Sequence, residues 1–198
     1  MRERADGEKI MTETTGTLFG AALGELGAVL DRIDGRAVDD ACRMLAEARR
    51  IGVHGCGREA LQMKGFAMRL FHLGLPVSVV GDMTMPPLGE GDIFFASSGP
   101  GETTTVLTLM KVAQAAGAKN LLVTAQPRAS AAALADFTLT IPAQTMADDQ
   151  GPGKTSVLPM GSVFEGALFL LFEVMVLRLK AMLDVPAEAM RARHTNME

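Results

Sequence analysis

Gly91-Asp92-Ile93-Phe94-Phe95-Ala96-Ser97-Ser98-Gly99-Pro100-Gly101-Glu102-Thr103-Thr104-Thr105 is the stretch that decides the fold. Ile93 to Ala96 is a short apolar run that reads as a buried strand, and a Ser/Gly turn follows it. An amphipathic helix is expected from Glu102 or Thr103. Strand, Gly-rich turn and helix start together make a construction suited to anions. The first amides of a helix lack internal partners, and the helix dipole concentrates positive charge there. The hydroxyls of Ser97, Ser98, Thr103 and Thr105 are further donors. From the stretch alone, an unliganded capped helix of an α/β fold is an equally good reading.

Working outward, the same rhythm recurs on both sides. Upstream, strands are expected at Ile51–His54 and Pro76–Val80, joined by the turn Gly55-Cys56-Gly57-Arg58 and a helix from Glu59 to Leu73. Downstream come a helix from Thr103 to Ala116, a strand at Asn120–Thr124, a short helix at Ala129–Leu134 and a strand at Phe137–Ile141. Strands alternating with helices imply a parallel sheet covered on both faces. The expected fold is a doubly wound three-layer α/β/α sandwich of flavodoxin-like type with a five-stranded parallel sheet. Ligands in such sheets bind beyond the carboxyl ends of the strands, the edge that carries both Gly-rich turns.

Two helices precede the first strand. Leu18, Ala22, Leu26, Val29, Leu30 and Ile33 recur at helical spacing, Asp34-Gly35 breaks the run, and Val38 to Ala48 forms the second. They are expected to form a helical arm over 14–50, before an α/β core at 51–183 and a C-terminal helix and tail at 184–198. Residues 1–13 are expected to be a flexible start. The polar loop 142–159, with Pro142, Gly151, Pro152, Gly153 and Pro159, has the length of a functional or mobile loop.

Composition narrows the function. With 198 residues, 48% apolar and 21% charged, the chain is globular and large enough for one well-cored domain. A net charge of −4 argues against nucleic acid and anionic membrane as partners. Cys42 and Cys56 lack CxxC spacing and read as reduced thiols, placing the protein in the cytoplasm. The charged start Met1–Lys9 lacks the apolar centre of a signal peptide. The apolar run Val163–Leu179 is interrupted by Glu165, Glu173 and Arg178, which suits a core or interface helix better than a membrane span.

Gly55-Cys56-Gly57-Arg58 approaches a dinucleotide fingerprint but has Ala60 at the third glycine, and Asp82 stands near the expected acidic position. No P-loop is present, and His54, His72 and His194 form no zinc pattern. Glu165 interrupts an apolar helix. Burial would raise its pKa toward that of a useful base, whereas the helix dipole would favour the anion. On pattern alone, Glu165 reads equally as a helix-start carboxylate satisfying amides, and His194 as a solvated tail residue.

Several motifs in register carry a resemblance: Gly65 to Gly74, Ser98-Gly99-x-Gly101-Glu102-Thr103, Pro159 to Glu165, and Arg193-His194-x-Asn196. From about Ile51 to the C-terminus the chain resembles the 6-phospho-3-hexuloisomerase family of the sugar isomerase (SIS) domain superfamily. The resemblance implies a homo-oligomer, a tetramer or dimer, that interconverts a 3-ketohexose 6-phosphate and fructose 6-phosphate without metal or organic cofactor. It implies that Glu165 is the base of an enediol mechanism. His194, delivered to a neighbouring subunit's site, would assist at oxygen. Ser98, Gly99, Pro100, Gly101, Glu102 and Thr103 would cradle the phosphate, with Gly57, Arg58 and Glu59 on the adjoining turn.

Two positions depart from the family pattern, each a serine there: Glu59 and Pro100 here. Pro100 removes an N–H and Glu59 adds negative charge where a phosphate is expected. Arg58 neutralising Glu59, or Glu59 binding a neutral sugar, are the two expectations that follow. The alternative functions are isomerisation of another sugar or phosphosugar, and a non-catalytic sugar-phosphate-binding module. No basic helix-turn-helix segment precedes the domain in this sequence, which disfavours a DNA-binding regulator.

Overall fold

The computed structural model describes residues 13–150 and 154–197. The expected flexible start therefore lies almost wholly outside the described residues, as do Gly151, Pro152 and Gly153 of the long loop.

Two helices, α1 (Thr15–Leu30) and α2 (Gly35–Glu47), come first. Thr14 caps α1 by accepting from the Thr17 amide, and Asp34 caps α2 by accepting from Arg36. The body follows as β1 (Ile51–His54), α3 (Gly57–Leu73), β2 (Val77–Val79), β3 (Ile93–Ser97), α4 (Thr104–Ala115), β4 (Lys119–Thr124) and β5 (Phe137–Thr140). The chain closes with α5 (Ser162–Met182) and the short α6 (Ala187–Ala192).

All strand pairs are parallel, in the order β2-β1-β3-β4-β5. The order reverses between β1 and β3, so a crevice opens beyond their carboxyl ends. Alternation along β3 builds two cores. Ile93 and Phe95 face α2, α3 and α5, while Phe94 and Ala96 face Val106, Met110 and Ala113 of α4. The larger core centres on Phe66, which stacks on Phe172 at 4.4 Å and meets Phe95 edge-on at 5.9 Å. That cluster fixes α3, which starts the site, against α5, which carries Glu165.

Three helices of the α/β body differ from the sequence reading. α3 begins at Gly57, not Glu59, because the Cys56 carbonyl accepts from Ala60 and closes a turn earlier. Arg58 and Glu59 thus lie in its first turn. α4 begins at Thr104, since Gly101 folds its N–H back to the Ser98 carbonyl at 3.0 Å and delays the helix. The expected helix at 129–134 contracts to a 3₁₀ turn at Ala132–Leu134.

The arm also holds the long loop. Glu25 of α1 accepts hydrogen bonds from the Ser156 hydroxyl and from the Val157 amide at 2.8 Å. Gln144 accepts from the amides of Thr155 and Ser156, closing the two ends of the long loop on each other. A hydrogen bond to a charged group contributes about 1.5–3 kcal/mol. Glu25→Ala is therefore expected to loosen this loop and accelerate tryptic cleavage after the exposed Lys154; an unchanged digestion rate would refute the pinning role.

Candidate active site

At the switch point a cavity of about 410 Å³ is lined by Gly57, Arg58, Glu59, Pro100, Thr103 and Glu165, with Cys56, Thr145, Met146, Met160, Gly161 and Phe164 completing it. Glu165 enters from the first turn of α5. Its side chain is 13% exposed, and Arg58 Nε lies 3.0 Å from its Oε2. The guanidinium N–H is not aimed at that oxygen, which is buried without a hydrogen-bond donor. Burial raises the Glu165 pKa, and the Arg58 charge only partly offsets it. Arg58 is itself held by the Ser162 hydroxyl, which accepts from Nη1 at 2.9 Å. A partly desolvated carboxylate with a bare oxygen beside a fixed cation is equipped to take a proton from carbon.

Arg58 therefore pairs with Glu165, correcting the expectation that it neutralises Glu59. The Glu59 carboxylate turns inward to β3 instead. It accepts from the Ser97 hydroxyl and, at 3.0 and 3.1 Å, from the Gly99 amide. Burial raises the Glu59 pKa, these two donors oppose the rise, and the neighbouring Glu165 charge adds to it. Gly99 permits the approach: a Cβ there would stand 3.1 Å from Phe164 and 3.2 Å from Glu59 Oε1.

The other expected cradle residues divide. Pro100 and Thr103 face the cavity, but Ser98 is buried behind it, where its hydroxyl accepts from the Gly101 amide and meets Thr103 Oγ1 at 3.0 Å. Gly99 and Gly101 shape the turn without lining the cavity. Glu102 points outward and accepts from the Ser130 amide at 2.8 Å, which holds its pKa below the usual range. It is fixed to the loop after β4, not to the pocket.

One chain does not bring His194 to Glu165. His194 stacks on His72 at 5.2 Å, beside Arg193, whose guanidinium donates to the His72 carbonyl. That is the far end of α3, whose 17 residues span about 25 Å at 1.5 Å per residue. Thr145 and Met146 are not candidates in the sequence reading, where the length of the loop 142–159 was the available signal; Met160 and Phe164 lie in the Pro159–Glu165 motif but carry no expected role there. Cys56 also lines the cavity, and burial, with Glu59 nearby, pushes its thiol pKa up, which disfavours a thiolate. Among the described residues no group of three or more His, Cys, Asp or Glu side chains could hold a metal, and no helix is long and apolar enough to cross a membrane.

The 2-1-3-4-5 sheet with a carboxylate-bearing pocket at its switch point defines a doubly wound α/β sandwich. More narrowly, the chain belongs to the SIS domain family, which it matches over residues 44–168. It is 32% identical over 176 residues to the 3-hexulose-6-phosphate isomerase of Bacillus subtilis, covering 89% of this chain and 95% of that one. It is 35% identical over 161 residues to the enzyme of the same name from Methylomonas aminofaciens, covering 81% and 87%. A solved Methanococcus jannaschii structure, from which a 3-hexulose-6-phosphate isomerase function was inferred, shares the fold with a TM-score of 0.79. It is 23% identical and covers 91% of this chain and 98% of that one.

Proposed function

We infer that the protein is a phosphosugar isomerase that interconverts a 3-ketohexose 6-phosphate and fructose 6-phosphate. The observation that carries this reading is the bare Oε2 of Glu165, buried beside Arg58 in a sugar-sized cavity at the switch point. The relatives' shared activity supports it. Glu165 takes the proton from C2 of the 3-ketose, and that electron pair forms the C2–C3 double bond of an enediolate. Charge develops on the C3 oxygen, where Arg58 is the available cation. The C3 oxygen gains a proton, the C2 hydroxyl loses one, and Glu165 returns its proton to C3. The product carries its carbonyl at C2. Turnover of 3-hexulose 6-phosphate in deuterated water, with deuterium appearing at C3 of fructose 6-phosphate, is the test; absence of turnover would overturn the reading.

The functional unit in this reading is a homo-oligomer. Leu61, Met68 and Phe71 of α3 and Phe169, Val174 and Leu177 of α5 are exposed apolar side chains on the one chain. Association through such faces would carry His194 to a neighbour's Glu165, where an imidazole can shuttle protons at oxygen. Glu165→Gln and His194→Gln proteins would then each be impaired, and refolding them together would restore a substantial fraction of activity in mixed sites. No recovery, with mixed oligomers demonstrated, would confine the chemistry to residues of one chain.

A further inference from the structure

We propose that Glu59 is a specificity-determining residue that closes the turn between β3 and α4 to a phosphoryl group. The inference rests on the reading of the cavity as a sugar site. It starts from the Ser97 hydroxyl and the donors of Ser98 to Gly101, each of which already has a partner. The Ser97 hydroxyl and Gly99 amide donate to Glu59. The Ser98 amide donates to the Val123 carbonyl, and the Gly101 amide to the Ser98 carbonyl, both at 3.0 Å. Pro100 has no N–H to offer. The Ser98 hydroxyl sits between the Gly101 amide and Thr103.

The turn therefore binds an anion, and that anion is the chain's own. The space is filled as well, since Glu59 Oε1 lies where even a methyl group on Gly99 would crowd it at 3.2 Å. A phosphoryl oxygen entering here would have to expel Glu59 from its donors or sit against it. Glu165 shares the cavity with Arg58 beside it, so the charged groups lining the cavity sum to −1. The positive N-terminal end of α4 is the offset that remains against the repulsion of an incoming dianion by Glu59. Carboxylate oxygens accept hydrogen bonds and cannot donate them, so Glu59 suits the hydroxyls of an uncharged polyol portion of the ligand. The turn thus contacts sugar hydroxyls, and a 6-phosphate is bound with an affinity reduced by Glu59.

Isothermal titration with inorganic phosphate, fructose 6-phosphate and fructose tests this on the wild type, Glu59→Ser and Glu59→Gln. Glu59→Ser empties the cradle and frees two donors. We expect phosphate and fructose 6-phosphate to bind it at least tenfold more tightly than the wild type, with no gain for fructose. Glu59→Gln keeps the shape and removes the charge, and a smaller gain of at least threefold for phosphate is expected. If Glu59→Ser melts cooperatively and gains less than tenfold for phosphate, the proposal falls. If that variant does not fold, Glu59→Gln decides at its threefold threshold. These readouts need no turnover: an inactive wild type would overturn the isomerase reading and leave the phosphate comparison intact.

Discussion

Replacing Glu165 by Gln is expected to lower kcat by about 10²–10⁴-fold, the usual contribution of a positioned acid or base, with little change in KM. Gln keeps the size of the side chain and can still meet Arg58, but it has no basicity. The same argument fixes the pH profile. Burial raises the Glu165 pKa above that of an ordinary glutamate, with Arg58 acting the other way. The base works only when deprotonated. The acid limb of kcat/KM in the wild type should therefore turn over above the usual glutamate pKa, and activity should rise as pH rises through it. Stability follows with the opposite sign. A carboxyl whose folded pKa is raised contributes stability that is fully present below the unfolded pKa and is lost as pH rises through the folded one. Glu165→Gln should thus melt no lower than the wild type at neutral pH, and any advantage should vanish in acid. A variant that folds and retains full turnover would remove Glu165 from the chemistry.

Part of this site is legible in the sequence, and the division has a physical cause. Ile93 to Ala96 announces a buried parallel strand because both of its faces are covered and both must be apolar. Glu165 stands out because a carboxylate in an apolar helix is costly without a purpose. Gly57, Arg58, Glu59, Pro100 and Thr103 reach the cavity because strand ends and helix starts share one edge of such a sheet. What pattern alone could not supply is where a long side chain ends. Arg58 and Glu59 are adjacent in sequence, yet one turns to Glu165 on α5 and the other to Ser97 at the end of β3 and Gly99 in the turn after it. That choice depends on distances between residues 38 positions apart for Glu59 and Ser97 and 107 apart for Arg58 and Glu165. Glu102 was read as cradle because it sits in the motif, but the backbone has already turned outward at Gly101, toward Ser130. His194 was legible only as a motif. Its place in one chain, against His72, follows from the docking of α6 at the far end of α3.

Gly161→Ala should have the second largest effect, and it acts entirely through position. Gly161 precedes α5 with φ +76°, in the left-handed region, and Met160 before it has φ 52°. A non-glycine residue held there costs about 1–3 kcal/mol, and Met160 already carries such a conformation. The added Cβ would also lie 2.7 Å from the Met146 amide nitrogen and 3.1 Å from the Thr145 carbonyl carbon. Those atoms are backbone and cannot rotate away. Either the loop bearing Thr145 and Met146 retreats, or the first turn of α5 shifts and moves Glu165, four residues on, out of line. Near-attack geometry is intolerant of this: a misplacement of about 1 Å can reduce rate by roughly 10²-fold. The expected result is a kcat lowered by one to two orders of magnitude, with a melting temperature reduced by several degrees. Ser162→Ala serves as the comparison, because it removes the hydroxyl that holds Arg58 while leaving the backbone unstrained. If Gly161→Ala matched Ser162→Ala in both rate and stability, the strained entry to α5 would have no part in setting the position of the base.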